Sequence, residues 1–229
     1  MTPRASIVLP TYNESENLPV IVPRLAAIDN RFEIVIVDDD SPDGTSTVAE
    51  KLAATYPVRL LRRSGKLGLA SAVIDGVQQR ATAPVVVVMD ADLSHDESII
   101  PELVAAVEAG SDIAVGSRFA SGGSTEDHAY RRMFSWSAKQ VARLMLGVRV
   151  QDPMSGFFCL KREDFLRLAP QLKPRGFKIL LELLVRMHPK TITEVGFRFR
   201  SRQKGDSKLT SKIALQYFRM IWDLWRERR

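Results

Sequence analysis

The run VVVVMDAD, residues 85–92, limits the fold more tightly than any other stretch of this chain. Four β-branched side chains followed by methionine leave no polar face. The run therefore predicts a strand buried on both sides, as in a parallel sheet covered by helices. That strand leads into Asp90 and Asp92, two carboxylates separated by one alanine. Residues i and i+2 of an extended segment point the same way, so both acids are expected to face one point beyond the sheet.

The rest of the chain supplies a matching context. Strand-like runs ASIVLPTY, FEIVIVDDD, VRLLRR, APVVVVMDAD and SDIAVGSRF alternate with helical patterns over 15–29, 43–56, 67–80 and 98–109. In 43–56, Val48, Leu52 and Tyr56 recur at intervals of four, the spacing of one helix face. Strand–helix alternation with valine-rich strands predicts an α/β protein whose mostly parallel sheet has helices on both faces. Ligands of such sheets bind beyond the carboxyl ends of the strands. Three strands end there in polar segments: LPTYNE, IVDDDSPDGT and VMDADLSH.

After about residue 120 the pattern changes. SGGSTED reads as a loop, 131–147 as a helix and DPMSGFFCLKRE as a turn plus strand. A helix over 178–188, a strand in ITEVGFRF, a loop in SRQKGDSK and a last helix over 209–226 follow. With no repeat or linker, residues 1–229 are read as one domain. Within it, the pattern separates 1–120, 121–208 and a last amphipathic stretch, 209–229.

Composition excludes several classes. With 45% hydrophobic and 26% charged residues the chain is neither disordered nor fibrous. The single cysteine, Cys159, lies in the apolar run GFFCLK; it predicts a small core residue and a reducing compartment. No signal-peptide pattern or 18-residue apolar stretch occurs. From Arg186 to the C-terminus there are 12 Lys/Arg against 4 Asp/Glu, while the preceding residues are nearly neutral. A basic end on a neutral body implies an anionic partner, whether nucleic acid, phosphorylated ligand or acidic lipid surface.

Paired carboxylates repel unless a cation sits between them. Asp90 and Asp92 are therefore candidate ligands of a hard cation, Mg2+ or Mn2+, shared with a pyrophosphate. A solvated turn with Asp92 capping the following helix is the plainer alternative, and His95 is read as a loop or capping residue. In VDDDSPDGT, Ser41 and Asp43 suit turn and cap roles. Asp38 and Asp39 are then surplus acceptors for the hydroxyl and N–H donors of a nucleoside. Tyr12 offers a ring face to a base. Arg118, Arg131, Lys178, Arg202 and Lys208 are candidates for phosphate oxygens, with Arg132 a solvated neighbour.

LPTYNE, VDDDSPDGT, KLGLASAVIDG, MDADLSH, IAVGSR, DPMSGFF, GFKILLE and GDSKL, in this order, resemble the polyprenol-phosphate (dolichol-phosphate) mannosyltransferases. These are inverting family 2 glycosyltransferases with a GT-A (Rossmann-like) fold, and the likeness runs from about residue 6 to 210. It implies that 1–120 form a nucleotide-binding half, 121–208 an acceptor-binding half and 209–229 an amphipathic interface helix. The resemblance implies that Pro10, Tyr12, Glu14, Val37 and Asp39 hold the nucleoside. Asp90, Ala91 and Asp92 would hold metal and donor diphosphate, with Lys178, Arg202 and Lys208 as further donor contacts. Arg118, Arg131 and Ser135 would hold the acceptor phosphate; Asp92, Arg118 and Arg131 would be the catalytic groups. Glu182, one helical turn after Lys178, would orient it. Two positions depart from the pattern: Ser94 stands where glutamine is usual and Asp206 where glutamate is.

The reading implied is transfer of mannose from GDP-mannose to polyprenyl (dolichyl) phosphate with inversion, at the cytoplasmic face of a membrane. The acceptor is already anionic, so no general base is required. IALQYFRMIWDLWRERR, with Ile213, Tyr217, Ile221 and Trp225 four apart, has the composition of an interfacial helix. An ordinary helix packed on the domain fits the same pattern. A membrane-anchoring segment or subunit outside this chain is compatible with this reading. The alternatives are a UDP-glucose-dependent enzyme of the same type, and a non-catalytic nucleotide-binding or membrane-recruitment module. A nucleic-acid partner is not expected, because the acidic segments would repel its backbone.

Overall fold

The computed structural model describes residues 2–125, 143, 145–174, 179–200 and 221–226. Five of its strands come from the alternating first part: β1 (Ala5–Thr11), β2 (Phe32–Asp38), β3 (Val58–Arg62), β4 (Val85–Val88) and β5 (Ile113–Ser117). Between them run α1 (Leu18–Ile28), α2 (Thr45–Ala53), α3 (Leu69–Gln79) and α4 (Ile100–Glu108). A short β6 (Ser124–Thr125) precedes β7 (Phe158–Lys161), α5 (Arg162–Leu168), α6 (Ile179–Met187), β8 (Ile192–Gly196) and β9 (Arg198–Phe199).

Among the described residues the main sheet has the order β3-β2-β1-β4-β7-β5-β8. Every neighbouring pair is parallel except those made by β7, which inserts antiparallel between β4 and β5. The second part of the chain thus adds strands to the sheet that the first part begins. β6 and β9 form a separate parallel pair.

The valine run is buried on both faces. Val86 and Val88 pack with α3, α5 and α6, while Val85 and Val87 pack with α1 and α4. A fully buried valine stabilises by roughly 1.5–3 kcal/mol relative to an exposed one. Four in succession fix this strand at the centre. α3 lies especially close to the sheet, since a Cβ at Gly76 would stand 2.7 Å from a methyl of Val37. Cys159 is fully buried in β7, and burial pushes its thiol well above the usual range, so it behaves as a core residue.

Residues 221–226 are helical, with Ile221 and Leu224 buried against the same layer as α6. Trp222 points outward, 53% exposed, with its ring 5.2 Å from that of Trp225. Most of the helices expected over 131–147 and 209–226 lie outside the described residues.

Candidate active site

At the carboxyl edge of the sheet the ends of β1, β2 and β4 and the segment after β3 enclose a cleft of about 250 Å³. Pro10, Tyr12, Glu14, Asp39, Asp90, Ala91 and Asp92 line it, as does Lys66. The three polar strand ends therefore converge as their sequences predict.

The turn after β1 passes through Asn13, whose φ of 62° is left-handed. It is locked to the turn after β2: Asn13 N donates to Ser41 Oγ, Glu14 N to Thr45 Oγ1 and Ser15 N to Asp43. Asp43 also accepts from Thr45 N, so Ser41 and Asp43 serve the turn as their positions suggest.

Asp38 and Asp39 have opposite fates. Asp38 is fully buried and accepts from Ser41 N, Ser41 Oγ and Ser46 Oγ. It is no surplus acceptor for a ligand, because its oxygens organise the turn. Asp39 lines the cleft, yet it also holds the opposite wall. Its Oδ2 accepts from Leu67 N (3.1 Å) and Gly68 N (2.9 Å), and its Oδ1 lies 2.8 Å from Arg63 Nη1. Arg63 is itself buried, with Nε 3.2 Å from Asp75. Val37 does not reach the cleft: its side chain is fully buried between sheet and α3. Strand alternation turns it inward, leaving only backbone at that edge.

Beyond β4 the chain leaves the ladder and turns at Leu93, whose φ is 63°. Ser94 N and Ser94 Oγ both donate to Asp92 Oδ1. Ser94, where the family pattern usually has glutamine, therefore orients the Asp92 carboxylate. His95 lies in the loop after β4, as expected, but it caps no helix: Asp96 is the cap of the following turn. The histidine is 3% exposed, stacked 5.1 Å from Phe157 and edge-on to Phe197 and Phe199. Its Nδ1 accepts from Asp90 N at 3.1 Å, which assigns the proton to Nε2. Burial pushes its pKa down, against the pull of Asp90 and Asp92, and keeps the ring neutral. Gly156 leaves space for Asp90, since a Cβ there would lie 3.2 Å from a carboxylate oxygen.

Arg118 follows β5 and lies outside the lining of this cleft. Its guanidinium pairs with buried Asp152 through Nε (2.7 Å) and Nη2 (2.9 Å), between the rings of Phe119 and Phe199. Glu182 is buried, and its Oε1 accepts from Lys173 N and Arg186 Nε. Arg131, Arg132, Ser135, Lys178, Arg202, Asp206 and Lys208 lie outside the described residues, as does the expected Glu182–Lys178 contact.

Two carboxylates and a tight, oxygen-rich edge fit a hard divalent cation. Among the described residues no group of three His, Cys, Asp or Glu could hold a metal ion. Such a cation would need oxygens from a bound diphosphate to complete its shell, the usual arrangement for Mg2+.

Residues 6–168 match the sequence pattern of glycosyl transferase family 2. The chain belongs to glycosyltransferase family 2. Among family 2 relatives, a dolichol-phosphate mannosyltransferase of Pyrococcus furiosus is 44% identical across 96% of this chain. This chain spans 63% of that relative's length. A polyprenol monophosphomannose synthase of Mycolicibacterium smegmatis is 36% identical over 91% of this chain and 82% of its own length. The crystal structure of glucosyl-3-phosphoglycerate synthase from Mycobacterium tuberculosis, with Mn2+, UDP-glucose and phosphoglyceric acid, superposes with a TM-score of 0.74. It is 17% identical, covering 97% of this chain and 80% of that one, so the likeness is one of GT-A fold.

Lys66, His95, Asp152 and Arg63 were not expected at the site. Asp152 and Lys66 do fall in segments, DPMSGFF and KLGLASAVIDG, that carry the family resemblance.

Proposed function

We propose that this family 2 glycosyltransferase moves mannose from GDP-mannose to the phosphate of a polyprenol such as dolichol, inverting the anomeric carbon. The observation that carries this reading is the meeting of Tyr12, Glu14 and Asp39 with Asp90 and Asp92 in one cleft. Relatives at 44% and 36% identity named for mannosyl transfer to dolichol or polyprenol phosphate favour mannose over glucose as the sugar.

Asp90 and Asp92 would hold Mg2+ or Mn2+. When bound, such an ion neutralises charge on the departing diphosphate. The protein's own work is orientation. Ser94 orients the Asp92 carboxylate, His95 holds the backbone N of Asp90, and Asp39 fixes the wall that faces them. The attacking group is a phosphate oxygen, anionic at neutral pH, so no base is required. His95 is buried among Phe157, Phe197 and Phe199, consistent with that. Arg118, aligned by Asp152, is assigned to the acceptor phosphate, together with Arg131 and Ser135. Lys178, Arg202 and Lys208 are assigned to the donor. Trp222, exposed on the helical residues 221–226 of a C-terminal region whose sequence is basic, supports contact with a membrane surface at its cytoplasmic face, where the lipid acceptor resides. No helix among the described residues is long and apolar enough to cross a membrane.

The test is a transfer assay with radiolabelled GDP-mannose and UDP-glucose against dolichyl phosphate in detergent, with Mn2+ or EDTA. Label from GDP-mannose should enter the lipid phase only with metal; transfer from UDP-glucose alone would overturn the assignment of the donor.

A further inference from the structure

We propose that Lys66 reads the base of the donor nucleotide, its ammonium donating to the acceptor edge of guanine; this rests on the GDP-mannose reading above. Lys66 Nζ stands 3.5 Å from the centroid of the Tyr12 ring, inside the cleft lining. Its contact there is an aromatic face, and no ion pair to it occurs among the described residues. A cation on a ring face at an exposed site is weakly held and readily exchanged.

The position is built. Gly65 and Gly68, at φ of 129° and 103°, bracket the residue with backbone that favours glycine. Asp39 accepts from Leu67 N and Gly68 N, and Arg63 braces Asp39 from behind. An otherwise exposed lysine is thus delivered to one place.

Sheet order says which part of a nucleotide lies there. The strands run β3-β2-β1-β4, with Lys66 after β3, Tyr12 after β1 and Asp90 and Asp92 after β4. A diphosphate held at the carboxylates directs its nucleoside across β1 and β2, so the base arrives at Tyr12 and Lys66. A base stacking on Tyr12 displaces the ammonium from the ring toward the base's own edge. Guanine presents O6 and N7 as adjacent acceptors, a pair suited to lysine, whereas adenine places an amino group at position 6.

Calorimetric titration of the full chain with Mn2+ and GDP, IDP, ADP or UDP, for wild type and Lys66→Met, tests this. IDP shares O6 and N7 with GDP. The variant should lose about tenfold in affinity for both, the lower end of a good base-edge contact, and little for ADP. Its melting temperature should be unchanged because the side chain is exposed. Equal losses for all four diphosphates would make Lys66 a phosphate contact, and no loss would make it a cover for the ring; either overturns the proposal. A wild-type preference for UDP overturns the donor assignment as well, and is visible without any variant.

Discussion

Arg118 and Asp152 face each other in a two-pronged ion pair, Nε to Oδ2 at 2.7 Å and Nη2 to Oδ1 at 2.9 Å. The backbone N of Arg118 adds a third bond to the same carboxylate, which is 1% exposed. Asp152 is held in turn from β8, where Glu194 accepts from Gln151 N and Asp152 N. At least two of the five guanidinium donors are thereby spent on aim. Removing one partner of a buried pair costs about 3–5 kcal/mol. Asp152→Asn should lower stability by an amount of that order and raise KM for polyprenyl phosphate about tenfold or more through misplacement. KM for GDP-mannose should hold steady. A parallel rise in both KM values would show that Asp152 supports the fold and does not orient Arg118.

Asp92 bears most directly on the proposed cation site. It is 5% exposed, lines the cleft and has its orientation set by Ser94. Asp92→Ala should reduce kcat by about 10²–10³, the cost of losing one preorganised electrostatic group. Metal-dependent binding of GDP should disappear with it, while the circular dichroism spectrum stays that of the wild type. Wild-type turnover by this variant would remove the carboxylate pair from the chemistry.

His95 offers a subtler test, because its bond to Asp90 N and its stacking on Phe157 can be separated. His95→Phe preserves a ring among Phe157, Phe197 and Phe199 but deletes the acceptor for Asp90 N. An N–H left without its partner costs roughly 1–3 kcal/mol when buried. Mn2+ affinity in the presence of GDP should weaken severalfold, while His95→Asn, which can restore an acceptor, should recover part of it. If both variants bind Mn2+ as the wild type does, the histidine only fills space.

How far the sequence foretold all this depends on the range of the interaction concerned. The valine run, the strand ends and the D-A-D pair are local patterns, and each appears where its period places it. Direction within a sheet is not local: FCLK reads as a strand, but nothing in it says that β7 will run antiparallel between β4 and β5. Asp38 and Asp39 are chemically identical neighbours. Their different roles come from Ser46 on α2 and from Leu67, 28 residues from Asp39. Lys66 looks like any solvated lysine until that contact fixes its loop. His95 sits in the loop where its sequence places it, but its burial was not legible because the phenylalanines around it come from distant segments.

The last prediction concerns the opposite edge of the sheet. Glu33 is the acid near the start of β2, 6% exposed at the amino end of the strands. Burial alone would raise its pKa, but Ser6 Oγ, Thr82 N, Thr82 Oγ1 and Ala83 N all donate to it, and together they bring it below the usual value. The folded state therefore holds this proton more weakly than the unfolded chain, which takes it up from about pH 4.5 downward. Stability from Glu33 is complete above that value and drains as pH falls through the folded pKa. Asp29, lowered from 3.8 to about 2 chiefly by its hydrogen bonds from Arg31, adds a second loss in the window below. Urea unfolding between pH 7 and 3 should show a falling midpoint beginning near pH 4.5. Glu33→Gln should cost about 1–3 kcal/mol at pH 7 and flatten the upper part of that fall. Parallel pH curves for the two proteins would mean that another group governs the acid response.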